Sequence, residues 1–585
     1  MTTSPTDWRL ARLAVTGLAA VALAAVAAAG AMSAGAQLQP AARSACHGDN
    51  GGLTLSPGFC ATVFADNLGH VRHMAVGQGG VLYVNTWSGR YFANSPPPPG
   101  GFLIALKDTQ GTGHADKITR FGPTTAQGNA GGSGIALYGG YVYAETNDKI
   151  VRYRLPPGGG APAGAPEVVL SGMPLTGDHP MHPFIIDARG EIFVDMGSAT
   201  NACQAKNRVA GVPGQDPCVE KETRAGTWRY DANRLDQKFS AKERYISGLR
   251  NGEGLSFDAA GRLFATQHGR DQLLQNWPAL YRDDAQTADL PSEELVELKA
   301  GADYGWPECY YDQFQHKLVL APEYGGDGGK KVGVCASRTP PVAAFPGHWA
   351  PNDMTIYKAA AFPAPYRGGA YIAFHGSWNR APAPQGGYNV VYQPLRDGKA
   401  SGRFIVFADG FAGAHKDPGG AAYRPTGLAV GPDGALYISD DVKGRIWRVT
   451  YHGPAAIAAV APAPAPRFAE ASASPPAIPP ENNLRVPPDA TEAQVRAGAH
   501  LFQTSTCTGC HGTDAHGTPL GPDLTSGHWL WSDGGLAGIR RTISEGVPQP
   551  KQYRSPMPPL GGAQLSQQDL DAISAYVWSV GHPNK

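Results

Sequence analysis

One short pattern recurs along the first three quarters of the chain and limits the fold more than any other feature. An apolar strand runs into a glycine-containing turn, and a second strand follows that opens on aliphatic and aromatic residues. The copies are Gly80-Val81-Leu82-Tyr83-Val84, Gly140-Tyr141-Val142-Tyr143, Gly190-Glu191-Ile192-Phe193-Val194, Gly261-Arg262-Leu263-Phe264, Gly369-Ala370-Tyr371-Ile372 and Gly434-Ala435-Leu436-Tyr437-Ile438. Partner strands precede most of them, as in His73-Met74-Ala75-Val76, Gly254-Leu255-Ser256-Phe257 and Gly427-Leu428-Ala429-Val430, which predicts hairpins closed by Gly or Asp-Gly turns. Units of this kind cannot bury their apolar faces alone, so repeats of roughly 40–50 residues with several strands each predict a β-propeller. Six copies predict six blades; a β-sandwich or a seventh, degenerate blade is the alternative. Composition agrees, since 76 Gly and 51 Pro in 585 residues are about twice the usual ~7% and ~5%.

The repeats are unevenly spaced. The widest gaps follow Phe193 and Phe264, and they contain the cysteine couples Cys203/Cys218 and Cys309/Cys335. Those loops are expected to be tied insertions over one face, where function usually sits on a rigid scaffold. Cys46 and Cys60 form a third couple. Sequence-local couples suit disulfides in an exported chain, each contributing ~2–4 kcal/mol. Two cations, Arg9 and Arg12, precede the apolar run from Leu13 to Met32, and Ser33-Ala34-Gly35-Ala36 follows it. This is the layout of a cleaved secretory leader over residues 1–36. The same run is nearly long enough for an uncleaved anchor, but no later stretch is long enough to span, so no stable membrane span is expected after cleavage. A periplasmic or secreted location follows. Equal counts of 49 basic and 49 acidic residues argue against a nucleic-acid partner.

The propeller is expected over residues 37–453. Beyond it, Ala461-Pro462-Ala463-Pro464-Ala465-Pro466 and Pro475-Pro476 mark a semi-rigid linker over 454–490. From Thr491 the pattern becomes helical, and a small all-α module is expected over 491–585. It contains Cys507-Thr508-Gly509-Cys510-His511, the spacing at which two thiols bind haem covalently and the adjacent imidazole ligates iron. A sixth ligand is sought downstream, and Met557 in Ser555-Pro556-Met557-Pro558 is the only methionine there; His516, His528 or a vacant position are the alternatives. Ser566-Gln567-Gln568-Asp569 reads as a capping box ahead of Leu570, Ile573, Tyr576, Val577 and Val580, the apolar face of a packed helix. The module resembles class I cytochrome c, which implies an electron-transfer role and a downstream acceptor, a redox protein or a respiratory chain.

The propeller carries a second resemblance. Gly177-Asp178-His179, Gly248-Leu249-Arg250-Asn251, His268-Gly269-Arg270-Asp271, Asp303-Tyr304-Gly305-Trp306-Pro307, His375-Gly376-Ser377-Trp378-Asn379-Arg380 and Tyr423-Arg424-Pro425-Thr426-Gly427 occur in this order. Together they resemble the pyrroloquinoline quinone (PQQ) dehydrogenases of the soluble glucose and sorbosone dehydrogenase group. The resemblance implies oxidation of a sugar or sugar-derived aldehyde, with PQQ, haem c and Ca²⁺ as cofactors. It assigns His179 as the base, consistent with the need for a near-neutral group to take a hydroxyl proton; His182 is a nearby competitor. It assigns Arg250 to the reacting quinone oxygens. Asp178, Asn251, Arg270, Trp306, Arg380 and Arg424 are assigned around the cofactor, and the backbone carbonyls of Gly269 and Arg270 to calcium. Cations suit a planar tricarboxylate. Two departures set glucose itself aside: Ser198 stands where the glucose branch has an Asp that orients the base, and Ala422 replaces a cofactor Arg. Trp306, Trp378 and the Gly-Arg-Asp run lean toward the sorbosone and pyranose branch. Arg72-His73 is expected near the same mouth. The rival readings are a cofactor-free binding propeller tethered to a cytochrome, and a Ca²⁺-dependent lactone hydrolase.

Overall fold

A computed structural model describes the chain from residue 46 to 582, apart from 47, 78, 87–98, 124–131, 282–283, 381–382, 455–483 and short stretches at 513–514, 518–519, 548–549, 554–556, 558 and 563–564. The expected leader and most of the expected linker lie outside the described residues. Among those described, no helix is long and apolar enough to cross a membrane.

Six sheets of four or five strands, antiparallel except for one outer parallel pair in the second, follow one another along the chain. Each repeated glycine motif forms the second strand of a blade: Leu82–Thr86, Tyr141–Thr146, Glu191–Met196, Leu263–Gln267, Ala370–Phe374 and Leu436–Asp440. The turns at Asp187, Asp258 and Asp433 work through an aspartate that accepts from the backbone beyond it. Asp258 Oδ1 accepts from Ala260 and Arg262 N–H at 2.9 Å each, and Gly261 between them sits at φ +78°, a conformation that disfavours any side chain. The innermost strands are Val71–Val76, Ile135–Tyr138, Phe184–Ile186, Leu255–Phe257, Pro351–Ile356 and Pro425–Val430. Each touches the next, and the last touches the first, so the ring closes.

Closure uses both ends of the propeller chain. Phe59–Ala65 pairs antiparallel with Ile446–Tyr451 as the outer strand of the last blade, and the Cys46–Cys60 disulfide ties down the residues before it. Phe59 packs edge-on against Phe362, Tyr366, Phe407 and Tyr451. These contacts fill the wedge between the fifth and sixth blades. Cys203–Cys218 and Cys309–Cys335 are also disulfides. The first closes an insertion between Glu191–Met196 and Gly226–Asp231, the second an insertion between Glu293–Glu297 and Ala343–Phe345.

The C-terminal module has four helices, Glu492–Thr504, Cys507–His511, Leu536–Glu545 and Gln567–Gly581. Thr491 and Ser566 cap the first and last with reciprocal boxes to Gln494 and Asp569. Those two helices cross at Gly498, where an added Cβ would lie 1.9 Å from the Ala572 carbonyl oxygen. Val495, Ala499 and Phe502 then interlock with Leu570, Ile573, Tyr576 and Val577, the face expected from the sequence.

Candidate active site

A cavity of about 350 Å³ opens at one end of the propeller, within the ~300–1,000 Å³ of small-molecule sites. Its position follows from the strand order. The lining residues come just before innermost strands, as Arg250 and Asn251 do, or just after second strands, as His268, His375 and Asp441 do. In an antiparallel blade those two places lie at the same end.

His179 lines this cavity, and its Nδ1 lies 2.9 Å from the Ser198 carbonyl and 3.1 Å from Ser198 Oγ. Ser198 Oγ itself donates to the Thr200 carbonyl, so it accepts from His179, which fixes the proton on Nδ1 and leaves Nε2 as a lone-pair acceptor. Burial, and then the nearby Arg250 guanidinium, push the imidazole well below its ordinary 6.5. The ring is therefore neutral, as a base must be. Arg224 holds the segment in place by donating to the carbonyls of His179 and Gly197 at 3.2 and 3.4 Å. His182 is sealed away: it bonds Glu145 and the Pro174 carbonyl and does not line the cavity.

Arg250 also lines the cavity and is locked at every nitrogen. It donates to the Asn201 carbonyl and Oδ1, to the Gly269 carbonyl at 3.0 Å and to Asp271 at 3.2 Å. Asp271 is shared with Arg208 at 3.0 Å and with Asn379 at 2.9 Å. Burial opposes its ionisation, but Arg208, His348 and Arg250 outweigh burial and hold it well below the usual carboxylate range. Arg208 bridges on to Asp178 at 3.1 Å. Burial likewise opposes Asp178, and the cation overrides it. Arg424 makes no ion pair among the described residues; it donates to the His375 and Gly376 carbonyls at 3.1 and 2.8 Å. Asn251 Oδ1 is buried without a hydrogen-bond partner. The Arg424 and Arg250 guanidinia that line this one cavity fit the carboxylates of a planar, polyanionic quinone.

Three expected cofactor residues are placed elsewhere. Arg270 is buried against Glu323, with contacts of 2.6 and 2.7 Å, and does not line the cavity. Trp306 is buried, donating to the Asn201 carbonyl at 3.0 Å, and supports the loop that Arg250 grips. Arg380 is consumed by Asp289 at 2.7 Å and by the carbonyls of Gly347 and Ala288. In each case a buried guanidinium or indole had to be satisfied locally, and the partner came from an insertion or a distant loop. The Gly269 carbonyl, one of the expected calcium donors, accepts from Arg250 and keeps its second lone pair. Arg72 lines the cavity, paired with Asp441 at 2.8 Å, whereas His73 turns to the Asn352 carbonyl.

The helical module encloses a second, apolar cavity. Phe502, Leu524, Ile539, Ile543, Ile573, Val577, Cys507, Cys510, His511 and Met557 are among its lining. Cys507 and Cys510 lie outside the three disulfides. His511 Nδ1 donates to the Pro522 carbonyl at 2.9 Å, which leaves Nε2 for iron and orients the ring. Met557 is pinned by paired backbone bonds with Val547 of 2.7 and 3.0 Å. His528 also lines the cavity but is exposed, and His516 bonds Thr525 on the surface. Two thiols, an oriented imidazole, a thioether and an apolar wall fit haem c.

Cys510, Leu520 and Gly561 line both cavities. The two sites therefore share a wall.

Residues 53–452 match the TrAA12-like family and residues 495–581 the cytochrome c family. The chain belongs to the TrAA12-like family. It is 28% identical over 235 residues to the pyrroloquinoline quinone-dependent pyranose dehydrogenase of Coprinopsis cinerea, covering 34% of this chain and 30% of that protein. It is 35% identical over 89 residues to the cbb3-type cytochrome c oxidase subunit FixP of Rhizobium etli, covering 15% of this chain and 30% of the subunit. The chain thus spans under a third of the length of each. The calcium structure of the Trichoderma reesei carbohydrate-active enzyme of family AA12 and the holo PQQ domain of the Coprinopsis cinerea pyranose dehydrogenase share the fold. Their TM-scores are 0.53 and 0.52 at 20% identity, each covering 68% of this chain and 97% of the other.

The TrAA12-like propeller holds site residues that the sequence did not single out. Arg208 is carried in by the Cys203–Cys218 insertion, and Glu293, His348 and Asp441 come from loops far apart in the chain. Asp271 and Asn379, like His268, His375 and Trp378, lie inside the motifs that carry the resemblance.

Proposed function

We propose that the chain is an exported PQQ-dependent dehydrogenase that oxidises a pyranose or related sugar aldehyde and passes the electrons through a c-type haem to a respiratory or periplasmic acceptor. The observation that carries this reading is the wall that Cys510, Leu520 and Gly561 form between the two cavities. A quinone in the first would stand beside a haem in the second. The likeness to the Coprinopsis pyranose dehydrogenase supports the sugar substrate, and the three disulfides support an oxidising compartment.

Bound PQQ supplies the hydride acceptor, and bound haem supplies a one-electron carrier. The chain's own part begins with Nε2 of His179, which takes the hydroxyl proton as the carbon gives up hydride. Ser198 holds the ring in the required tautomer without a carboxylate, so the base stays neutral to lower pH than an Asp-paired His would. Arg250, fixed by Asp271, Asn201 and Gly269, presents positive charge that needs no rearrangement as negative charge develops. Arg424 and Asn251 would hold the cofactor. No step is assigned to calcium.

The test is the visible spectrum of the haem-loaded protein, recorded with PQQ and with pyranoses or sorbosone and no external acceptor. Reduced-haem bands that require both PQQ and sugar are expected. A haem that stays oxidised while no quinone binds would overturn the reading.

A further inference from the structure

The haem-bearing turn meets the propeller at one tightly specified contact. Gly509 and Thr508 are buried within Cys507–His511, and a Cβ built on Gly509 would lie 2.3 Å from the Trp378 carbonyl oxygen and 2.9 Å from its ring atom Cε3. Real Cβ contacts with backbone do not fall below about 3 Å, and a carbonyl cannot rotate away as a side chain can. Only glycine fits here. Trp378 has a second face, because it lines the propeller cavity together with Cys510, Leu520 and Gly561 of the helical module. The same propeller residue therefore touches the proposed quinone site and the turn that carries both thiols.

We propose that Trp378 is the positioning residue for internal electron transfer. It is the seat on which Gly509 docks the haem turn, so that the wall between the two cavities forms only while residue 509 has no side chain. This inference rests on the reading above for its electrons but not for its geometry. The module is tethered to the propeller through the same chain, so a lost seat does not separate the partners. It lowers the fraction of time in which the haem edge is held at the cavity, an effective-concentration effect.

The test uses the full-length, haem-loaded chain with Gly509→Val, and with Gly509→Ala as a milder variant should the first fail to mature. Haem content and haem midpoint potential are measured first, and are expected to match the parent because residue 509 is not an iron ligand. Small-angle scattering without PQQ should then show a larger radius of gyration in the variant, from a module that no longer seats. With PQQ and sugar, the first-order rate of haem reduction should fall about tenfold or more at unchanged potential. Unchanged scattering, or an unchanged internal rate in a variant of normal haem content, overturns the seat. If no sugar reduces the haem of even the parent protein, the dehydrogenase reading fails, and the scattering comparison still decides for or against the seat.

Discussion

The assignment of His179 makes a quantitative demand. Replacing it with Gln removes the Nε2 proton acceptor while leaving an amide able to reach the Ser198 carbonyl, 2.9 Å away in the parent. General-base catalysis is worth about 10²–10⁴-fold, or roughly 3–5 kcal/mol of barrier, so kcat/KM with an artificial acceptor should fall within that span while PQQ binding survives. The pH profile carries the second half of the argument. The active form is the free base, and burial followed by Arg250 depresses its proton affinity well below 6.5. Activity governed by His179 must therefore stay level as pH falls through 6.5 and drop only below it. Ser198→Asp should move that acid limb upward, since a carboxylate about 4 Å from the ring stabilises the imidazolium by roughly 4 kcal/mol at an effective dielectric of ~20. The assay is kcat/KM against pH for the three proteins. A loss below tenfold in His179→Gln, or a Ser198→Asp profile that coincides with the parent's, would refute the role.

Other consequences can be checked separately. Burial raises Glu294 to about 8, with Glu293 a smaller contributor beyond the Gln267 bond. A carboxyl with a raised folded-state value stabilises fully below its unfolded value near 4.5, and that stability is lost as pH rises through about 8. The slope is about 1.4 kcal/mol per pH unit, so urea unfolding of Glu294→Gln should show a flatter decline between pH 5 and 8. Gly498→Ala should destabilise the helical module by about 1–3 kcal/mol, because its Cβ would meet the Ala572 carbonyl; the thermal transition of the haem absorbance would report it. Met557→Ala should lower the haem midpoint potential in redox titration, since a thioether ligand raises it; an unchanged potential would remove Met557 from the iron. Arg250→Met should cost about 3 kcal/mol or more by removing the buried ion pair to Asp271 and the donor to the Gly269 carbonyl, with chemical denaturation as the measure.

Much of the molecule was legible because the relevant physics is local in sequence. A two-residue strand period and a glycine where φ must be positive recur every time a blade turns, so the blade count follows from the chain alone. The same holds for the Cys507–His511 haem turn, the Ser566 cap and the three short disulfide loops. His179, Arg250, Asn251 and Arg424 were legible through motif order and do meet in one cavity. What the sequence could not decide was which cations remain available after folding. Arg270, Arg380 and Arg424 look alike in the chain, and their fates depend on partners many residues away: Glu323 takes Arg270 and Asp289 takes Arg380, whereas Arg424 meets two carbonyls and the Tyr388 ring. A buried guanidinium must find its counter-charge wherever the fold supplies it. Ring closure brings Arg72 to Asp441, the Cys203–Cys218 insertion brings Arg208 to Asp271, and packing alone sets Gly509 on Trp378. The local code therefore determined the blades and the haem turn, and only the tertiary structure decided which side chains face the space between them.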